Sequence, residues 1–184
     1  DVKSNNLIIS ASNIREKLNN NQSITKYTNY SDYIKLPDND LFFKLLKTKI
    51  ITDNNLNKYL TVDEGIENKL IKEINNVNNI NELINKVKSK RYTYNRINRM
   101  LIHILIGITK EDKNKISLEY IKVLGFNNKG QYYLKNIKSN LLINRKIKND
   151  FLSQKYEIKA AQIYDILTNN NATNYELKNI PIKK

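Results

Sequence analysis

The sequence predicts a mainly α chain: a helical bundle carrying one small strand–helix–strand element. Three observations lead there. Only four glycines and two prolines interrupt the 184 residues, and no Ser/Gly-rich linker divides them. Apolar residues recur at a 3.6-residue period through most of the chain. One stretch, 119–143, leaves that period and is enriched in Tyr, Ile, Val and Leu, residues that suit a pleated, half-buried surface.

Leu7, Ile8 and Ile9 read as a strand end that turns into a helix, with Ser12 as the expected N-cap. A polar passage with Tyr27, Tyr30 and Tyr33 and then Pro37 leads to Asp40, expected to cap a helix bearing Leu41, Phe42, Leu45 and Leu46. Thr61-Val-Asp-Glu64 has the spacing of a capping box, with Ile66, Leu70, Ile74 and Val77 following on one face. A second helix carries Ile80, Leu83, Ile84 and Val87. A third starts at Thr93, presents Ile97, Met100, Leu101, Ile104, Leu105 and Ile108, and ends near Gly107. These three are expected to form the core. Beyond them, 119–126 reads as a strand, 131–138 as a short helix, 141–143 as a second strand and 158–167 as a last helix, with an irregular tail after Asn169.

No cysteine is present, which excludes disulfides, Cys-based zinc or iron–sulfur sites and thiol catalysis, and suits a cytoplasmic protein. His103 is the only histidine, so a multi-His metal site and a His-x-Gly-His nucleotide motif are excluded within this chain. The longest apolar stretch, 100–108, is broken by His103 and falls far short of the roughly 18 residues of a membrane span, so no membrane partner is expected. The carboxylate pairs Asp63–Glu64 and Glu111–Asp112 fall at expected helix starts, where capping accounts for them. No nucleophile–base pair and no Gly-rich phosphate loop is found, so no catalytic residue is assigned. The opening Asp-Val-Lys-Ser-Asn-Asn has neither an initiator Met nor a signal sequence, and the chain is expected to begin inside a longer protein.

Thirty-two Lys and Arg against 18 Asp and Glu give a formal charge of +14, a field that attracts polyanions. The abundance of Asn, Lys, Ile and Tyr is also what an AT-rich coding sequence would produce, so charge alone leaves both explanations open. The sharper signal is 88–99, where Lys88, Lys90, Arg91, Arg96 and Arg99 stand beside Tyr92 and Tyr94. Arg96, Arg99 and His103 are spaced i, i+3, i+7 and are expected to project opposite the apolar stripe. A cationic first turn opposes the helix dipole unless an anion approaches. Arginine forks pair with phosphate oxygens and tyrosines stack on unpaired bases, so Lys88, Lys90, Arg91, Tyr92, Tyr94, Arg96, Arg99 and His103 are candidate RNA contacts.

Three groups of residues resemble the tRNA(Met) cytidine acetate ligase family. The first is Ile-Ser-Ala-Ser-Asn-Ile-Arg at 9–15. The second comprises Asp-Glu-Gly-Ile-Glu-Asn at 63–68, Lys-Arg-Tyr-Thr-Tyr at 90–94, Arg96, and Leu-Ile-His-Ile-Leu-Ile-Gly-Ile-Thr at 101–109. The third is Val-Leu-Gly-Phe-Asn at 123–127 with Lys129 and Gly130, and Ala-Ala-Gln-Ile-Tyr at 160–164 adds a weaker match. The resemblance implies an enzyme that activates acetate with ATP, with Mg2+, as acetyl-adenylate and then acetylates N4 of the wobble cytidine of elongator tRNA(Met). It implies that residues 1–25 are the C-terminal edge of a nucleotidyltransferase-like α/β domain, and that 26–184 are a mainly helical C-terminal domain binding tRNA. Arg15 would then be an ATP-contacting arginine, with Ser10 and Ser12 as phosphate-side candidates. The domain bearing the His-x-Gly-His-type motif would lie outside this chain, which alone would bind no cofactor and be inactive. The competing reading is a noncatalytic helical protein-interaction module whose charge reflects codon usage.

Overall fold

The computed structural model describes residues 2–4, 7–29, 31, 34–118, 120–138, 142–144, 151–178 and 180–184. The chain is mostly helical with few strands, and it divides into two compact units, Asp1–Asp38 and Asn39–Lys184. The division falls after Asp38, so residues 26–38 go with the first unit.

In the first unit β1 (Val2–Ser4) and β2 (Leu7–Ile9) pair antiparallel, Val2 opposite Ile9, and lead into α1 (Ala11–Asn19). The helix is capped two residues earlier than the sequence suggested: Ser10, in extended backbone, accepts a hydrogen bond from the Asn13 N–H through Oγ at 3.2 Å. Ser12 lies inside the helix and is exposed. Both serines satisfy the compositional preference for a cap, but only Ser10 has the non-helical backbone that aims its side chain at the free N–H groups. Tyr30 and Tyr33 lie outside the described residues.

The second unit is built on one hydrophobic core, contributed by α2 (Asn39–Thr52), α3 (Ile66–Glu73), α4 (Ile80–Val87), α5 (Tyr94–Ile106) and the loops between them. The stripes Leu83, Ile84, Val87 and Ile97, Met100, Leu101, Ile104 are buried as their period predicts. Leu105 and Ile108 are only half-buried. The core is larger than three helices, because α2 adds Phe43, Leu46 and Ile50 and the connecting loop adds Leu56, Tyr59 and Val62. On α2 Phe43, Leu46 and Ile50 are buried, Phe42 packs partly buried against the core, Leu41 and Leu45 are half-buried, and the helix begins at Asn39, ahead of Asp40.

The caps show which local signals the fold uses. Asn79 accepts from the Glu82 N–H at 2.9 Å while Glu82 accepts from the Asn78 N–H at 2.9 Å, a reciprocal arrangement that starts α4. Gly107, at φ +82°, ends α5 in the left-handed conformation that glycine adopts at least cost. The expected capping box at 61–64 does not form. Thr61 (φ 68°), Glu64 (φ 59°) and Gly65 (φ 78°) are all left-handed, and α3 starts after Gly65 with no side-chain cap.

Beyond Gly107, α6 (Lys110–Lys115) is capped by Thr109, whose Oγ1 accepts from the Asp112 N–H at 3.0 Å. The expected strand at 119–126 is two strands, β3 (Tyr120–Lys122) and β4 (Gly125–Phe126), with different partners; Glu119 lies outside the described residues. After α7 (Asn128–Asn136), β5 (Leu142–Asn144) pairs parallel with β3, Tyr120 opposite Leu142, so the strand–helix–strand element is present; Leu141 lies outside the described residues. The last helices are α8 (Leu152–Thr168) and α9 (Ala172–Lys178), followed by β6 (Ile182–Lys183), which pairs parallel with β4. The tail expected to be irregular is therefore helical. Its start is held by a residue of the preceding helix, since the Asp165 carboxylate accepts from the N–H groups of Ala172 and Thr173. Among the described residues no helix is long and apolar enough to cross a membrane.

Candidate nucleic-acid interface

The basic stretch 88–99 spans the turn from α4 into α5. The turn is tight because it closes on itself: Ser89 N–H donates to the Tyr92 carbonyl at 3.0 Å, and Tyr92 N–H donates to Ser89 Oγ at 3.1 Å. Tyr92 enters the core, 4% exposed, and its hydroxyl donates to the Asp63 carbonyl at 2.8 Å. Its expected role as a base-stacking ring is therefore corrected. Arg96 lies across it, with its guanidinium carbon 4.3 Å from the ring centroid, and donates to the Arg91 carbonyl at 3.3 Å. Tyr92 is a pedestal that holds Arg96 in place through a cation–π contact.

Around that pedestal the cations are presented differently. Lys88, Lys90, Arg91 and Arg99 are exposed. Lys88 donates to Asn85 Oδ1 at 3.0 Å and Arg91 is paired with Glu64, whereas Lys90 and Arg99 carry no ion pair among the described residues. Tyr94 is exposed, and its hydroxyl donates to Asn81 Oδ1 at 2.9 Å, which fixes the ring on the surface. The first turn of α5 holds no acidic residue and Thr93 makes no side-chain cap, so the positive end of the dipole points at the cationic turn uncompensated.

His103 departs from its expected place. It is half-buried, with Nδ1 3.3 Å from the Leu60 carbonyl and 3.0 Å from Thr61 Oγ1. The carbonyl can only accept, so Nδ1 carries the proton. Burial lowers its pKa against the opposing Leu60 hydrogen bond, and the neighbouring Arg99 lowers it further. The neutral form of His103 is thereby favoured.

Sequence reasoning missed the loop 59–65 as a partner of this surface. Glu64 pairs with Arg91, Asp63 pairs with Lys110 at 2.9 Å, and Leu60 N–H donates to the Ile108 carbonyl at 3.0 Å. Glu64 and Gly65 of this loop, with Ile66, Lys69, Val87, Ser89, Arg91 and Tyr92, line an open cleft of ≈ 280 Å³. A left-handed Thr61 is costly and persists only where surrounding contacts impose it. Gly65, directly after the supposed capping box, was the available signal of a left-handed turn.

Ser10, Ser12 and Arg15 share the first turns of α1 in the other unit. Ser10 Oγ is engaged in capping, while Ser12 and Arg15 are exposed, Arg15 without an ion pair among the described residues.

The chain has counterparts among known proteins. The family model described as HIGH nucleotidyl transferase matches residues 1–179, and the chain belongs to that family. Within it, the curated relatives it resembles are tRNA(Met) cytidine acetate ligases, as its motifs suggested. That of Clostridium perfringens is 41% identical over 171 residues, covering 86% of this chain and 41% of the relative. That of Staphylococcus carnosus is 35% identical over 147 residues, covering 77% and 38%. The crystal structure of Thermotoga maritima TmcAL (apo, form I) superposes with a TM-score of 0.64 at 18% identity, over 94% of this chain and 45% of that one. The form bound with alpha-thio ATP gives 0.63 over 94% and 46%, also at 18% identity. The chain spans less than half the length of these relatives.

Proposed function

We propose that this chain is the tRNA-gripping portion of an ATP-dependent enzyme that forms acetyl-adenylate from acetate and acetylates N4 of the wobble cytidine of elongator tRNA(Met) in the cytoplasm. The names of the relatives support the reaction, and the alpha-thio ATP carried by the Thermotoga maritima protein supports nucleotide use. In this reading 1–25 are the C-terminal edge of a nucleotidyltransferase-like domain and 26–184 the mainly helical C-terminal domain, whose helical bundle and small α/β element begin at Asn39 after a lead-in, 26–38, that packs with the first unit. Arg15, Ser10 and Ser12 face the ATP phosphates, where a guanidinium and a helix start offset charge developing on the departing pyrophosphate. The remaining nucleotide contacts, Mg2+ and the chemistry belong to sequence beyond this chain.

The observation that carries the tRNA role is the α4–α5 turn. Lys90 and Arg99 are unpaired among the described residues, Arg96 is pre-positioned on Tyr92, and the uncapped start of α5 points the same way. A phosphate backbone satisfies all of these at once. A second reading, a protein-interaction module, draws on Leu118, Leu124 and Ile180, which are at least 73% exposed.

Titration against unmodified elongator tRNA(Met) and an unrelated tRNA, at about 50 and 200 mM salt, separates the two. Binding that weakens steeply with salt is expected. The double substitution Arg96→Ala with Arg99→Ala should lower affinity and reduce the salt slope by about one to two units while preserving helicity. Unchanged binding in the double variant removes this face from the account.

A further inference from the structure

A second surface of the chain has the chemistry of a base-stacking platform and lies outside every residue assigned so far. Between Glu119 and Asp150 the sequence contains no acidic residue but seven Lys or Arg. At the centre of that interval stands α7, with Lys129, Tyr132, Tyr133 and Asn136 at i, i+3, i+4 and i+7, one face of the helix. All four are exposed, and the two tyrosines are 67% and 64% exposed. Their rings meet edge to face at 6.0 Å.

The orientation of this face is imposed by packing on the other side. A Cβ at Gly130 would lie 3.0 Å from Phe126 Cβ, so the helix approaches β4 as closely as a glycine permits. Gln131 and Leu134 are half-buried on that side. Asn127 caps the helix by accepting from the Gly130 N–H at 2.9 Å. The helix is thus pinned with its tyrosines outward.

Charge is arranged differently here from the helical core. There, Lys49 and Lys58 share Asp53, Lys86 meets Glu73 and Lys110 meets Asp63. On and just after α7, Lys129, Lys135 and Lys138 have no ion pair among the described residues, and the first turn has no carboxylate. Unpaired lysines interleaved with open aromatic rings complement an unpaired RNA strand, whose bases stack on the rings while its phosphates meet the ammonium groups. A protein partner would be recognised by apolar area and would leave the acid-free interval without a role.

We infer that α7 binds an unpaired segment of RNA, Tyr132 and Tyr133 stacking on bases and Lys129, Lys135 and Lys138 contacting phosphates. The inference deepens the proposed tRNA role and rests on it for the identity of the RNA. It adds a second contact that would engage a single-stranded loop or end.

The test uses the whole 184-residue chain and a fluorescent uridine oligonucleotide of ~12 nucleotides, a length within the range of single-strand sites. Wild-type binding that weakens with salt is expected. Tyr132→Ala with Tyr133→Ala should lower affinity about tenfold or more, whereas Tyr132→Phe with Tyr133→Phe should bind as wild type, because stacking needs the ring and not the hydroxyl. Photocrosslinking of a 4-thiouridine oligonucleotide to the unaltered chain should label the peptide containing Tyr132 and Tyr133, which needs no variant to fold. No oligonucleotide binding, equal binding by the alanine variant, or crosslinks elsewhere would overturn the inference. Self-association abolished by the alanine variant without RNA binding would assign α7 to a protein interface and overturn it too. If the alanine variant binds tRNA normally while Arg96→Ala with Arg99→Ala does not, only this inference fails; the opposite pattern sinks only the α5 role.

Discussion

The continuous core lies entirely within residues 43–104, whereas beyond Gly107 only Tyr120 and Ala161 among the described apolar side chains are buried to a similar degree. The later segment does not lack apolar residues; Leu124, Tyr175, Ile180 and Ile182 are each at least 69% exposed. Among the described residues, several polar contacts tie it together. The Tyr156 hydroxyl donates to Asp112, which also accepts from Thr109 Oγ1, and thereby ties α8 to the cap of α6. Lys122 is clasped by Glu157 and Glu176, and Asp165 caps α9. One region is stabilised by apolar area removed from water, the other by directional contacts that leave its surface available.

That contrast is tested most strongly by paired truncations. Leu83→Ala, at a fully buried position, should cost about 2–5 kcal/mol, while Leu124→Ala should stay within about 0.5 kcal/mol. Urea unfolding midpoints measure both, and a comparable loss at Leu124 would mean that the later segment has a core of its own.

A smaller effect is expected at Asp53, the ionic junction of the helical core. Burial opposes its charge, but hydrogen bonds from Lys58, Tyr59, the Asn55 N–H and Lys49 outweigh burial and hold the carboxyl well below the usual range. An unfolded carboxyl titrates near ~3.9, so this contribution is complete above that pH and is lost as the pH falls toward the folded value. Asp53→Asn should cost about 2 kcal/mol at neutral pH and flatten the acid limb of the stability profile. An unchanged acid limb would show that other carboxylates control it.

The smallest effect falls at the tie between the regions. Burial first, and the hydrogen bond to Asp112 next, push the Tyr156 hydroxyl up to about 12. The neutral form is favoured in the fold, so its stabilisation is full below the unfolded value near ~10 and is lost as the pH rises from there toward 12. Tyr156→Phe should cost about 1 kcal/mol and remove that alkaline loss, with hydrogen exchange rising in α8 before α5. Equal exchange in both helices would mean that the two regions open together.

The RNA-contact candidates divide along the same line. That 88–99 would be a cationic turn entering a helix was legible, because charge and period are local properties. That Tyr92 would be buried beneath Arg96 was not, since an aromatic residue in a basic stretch has the same composition whether it faces water or core. His103 was placed outside by helical spacing, but the loop at Leu60 and Thr61 comes from far along the chain and covers it. No periodicity within α5 carries that information.

The sequence by itself determined the helical character, the buried stripes of α4 and α5, the strand–helix–strand element and the family, because these depend on spacing and on motifs read along the chain. Tertiary structure decided the buried face of α2, whose apolar residues nearly encircle it and leave periodicity without a preference. It also decided the left-handed loop at 61–65, which is held by contacts to Arg91, Tyr92, His103 and Lys110. It decided the split of 119–126, because β3 and β4 each follow a partner strand that arrives later in the chain. Pairing and packing between distant residues select among local options that cost nearly the same, and that selection can be seen only once the chain has folded.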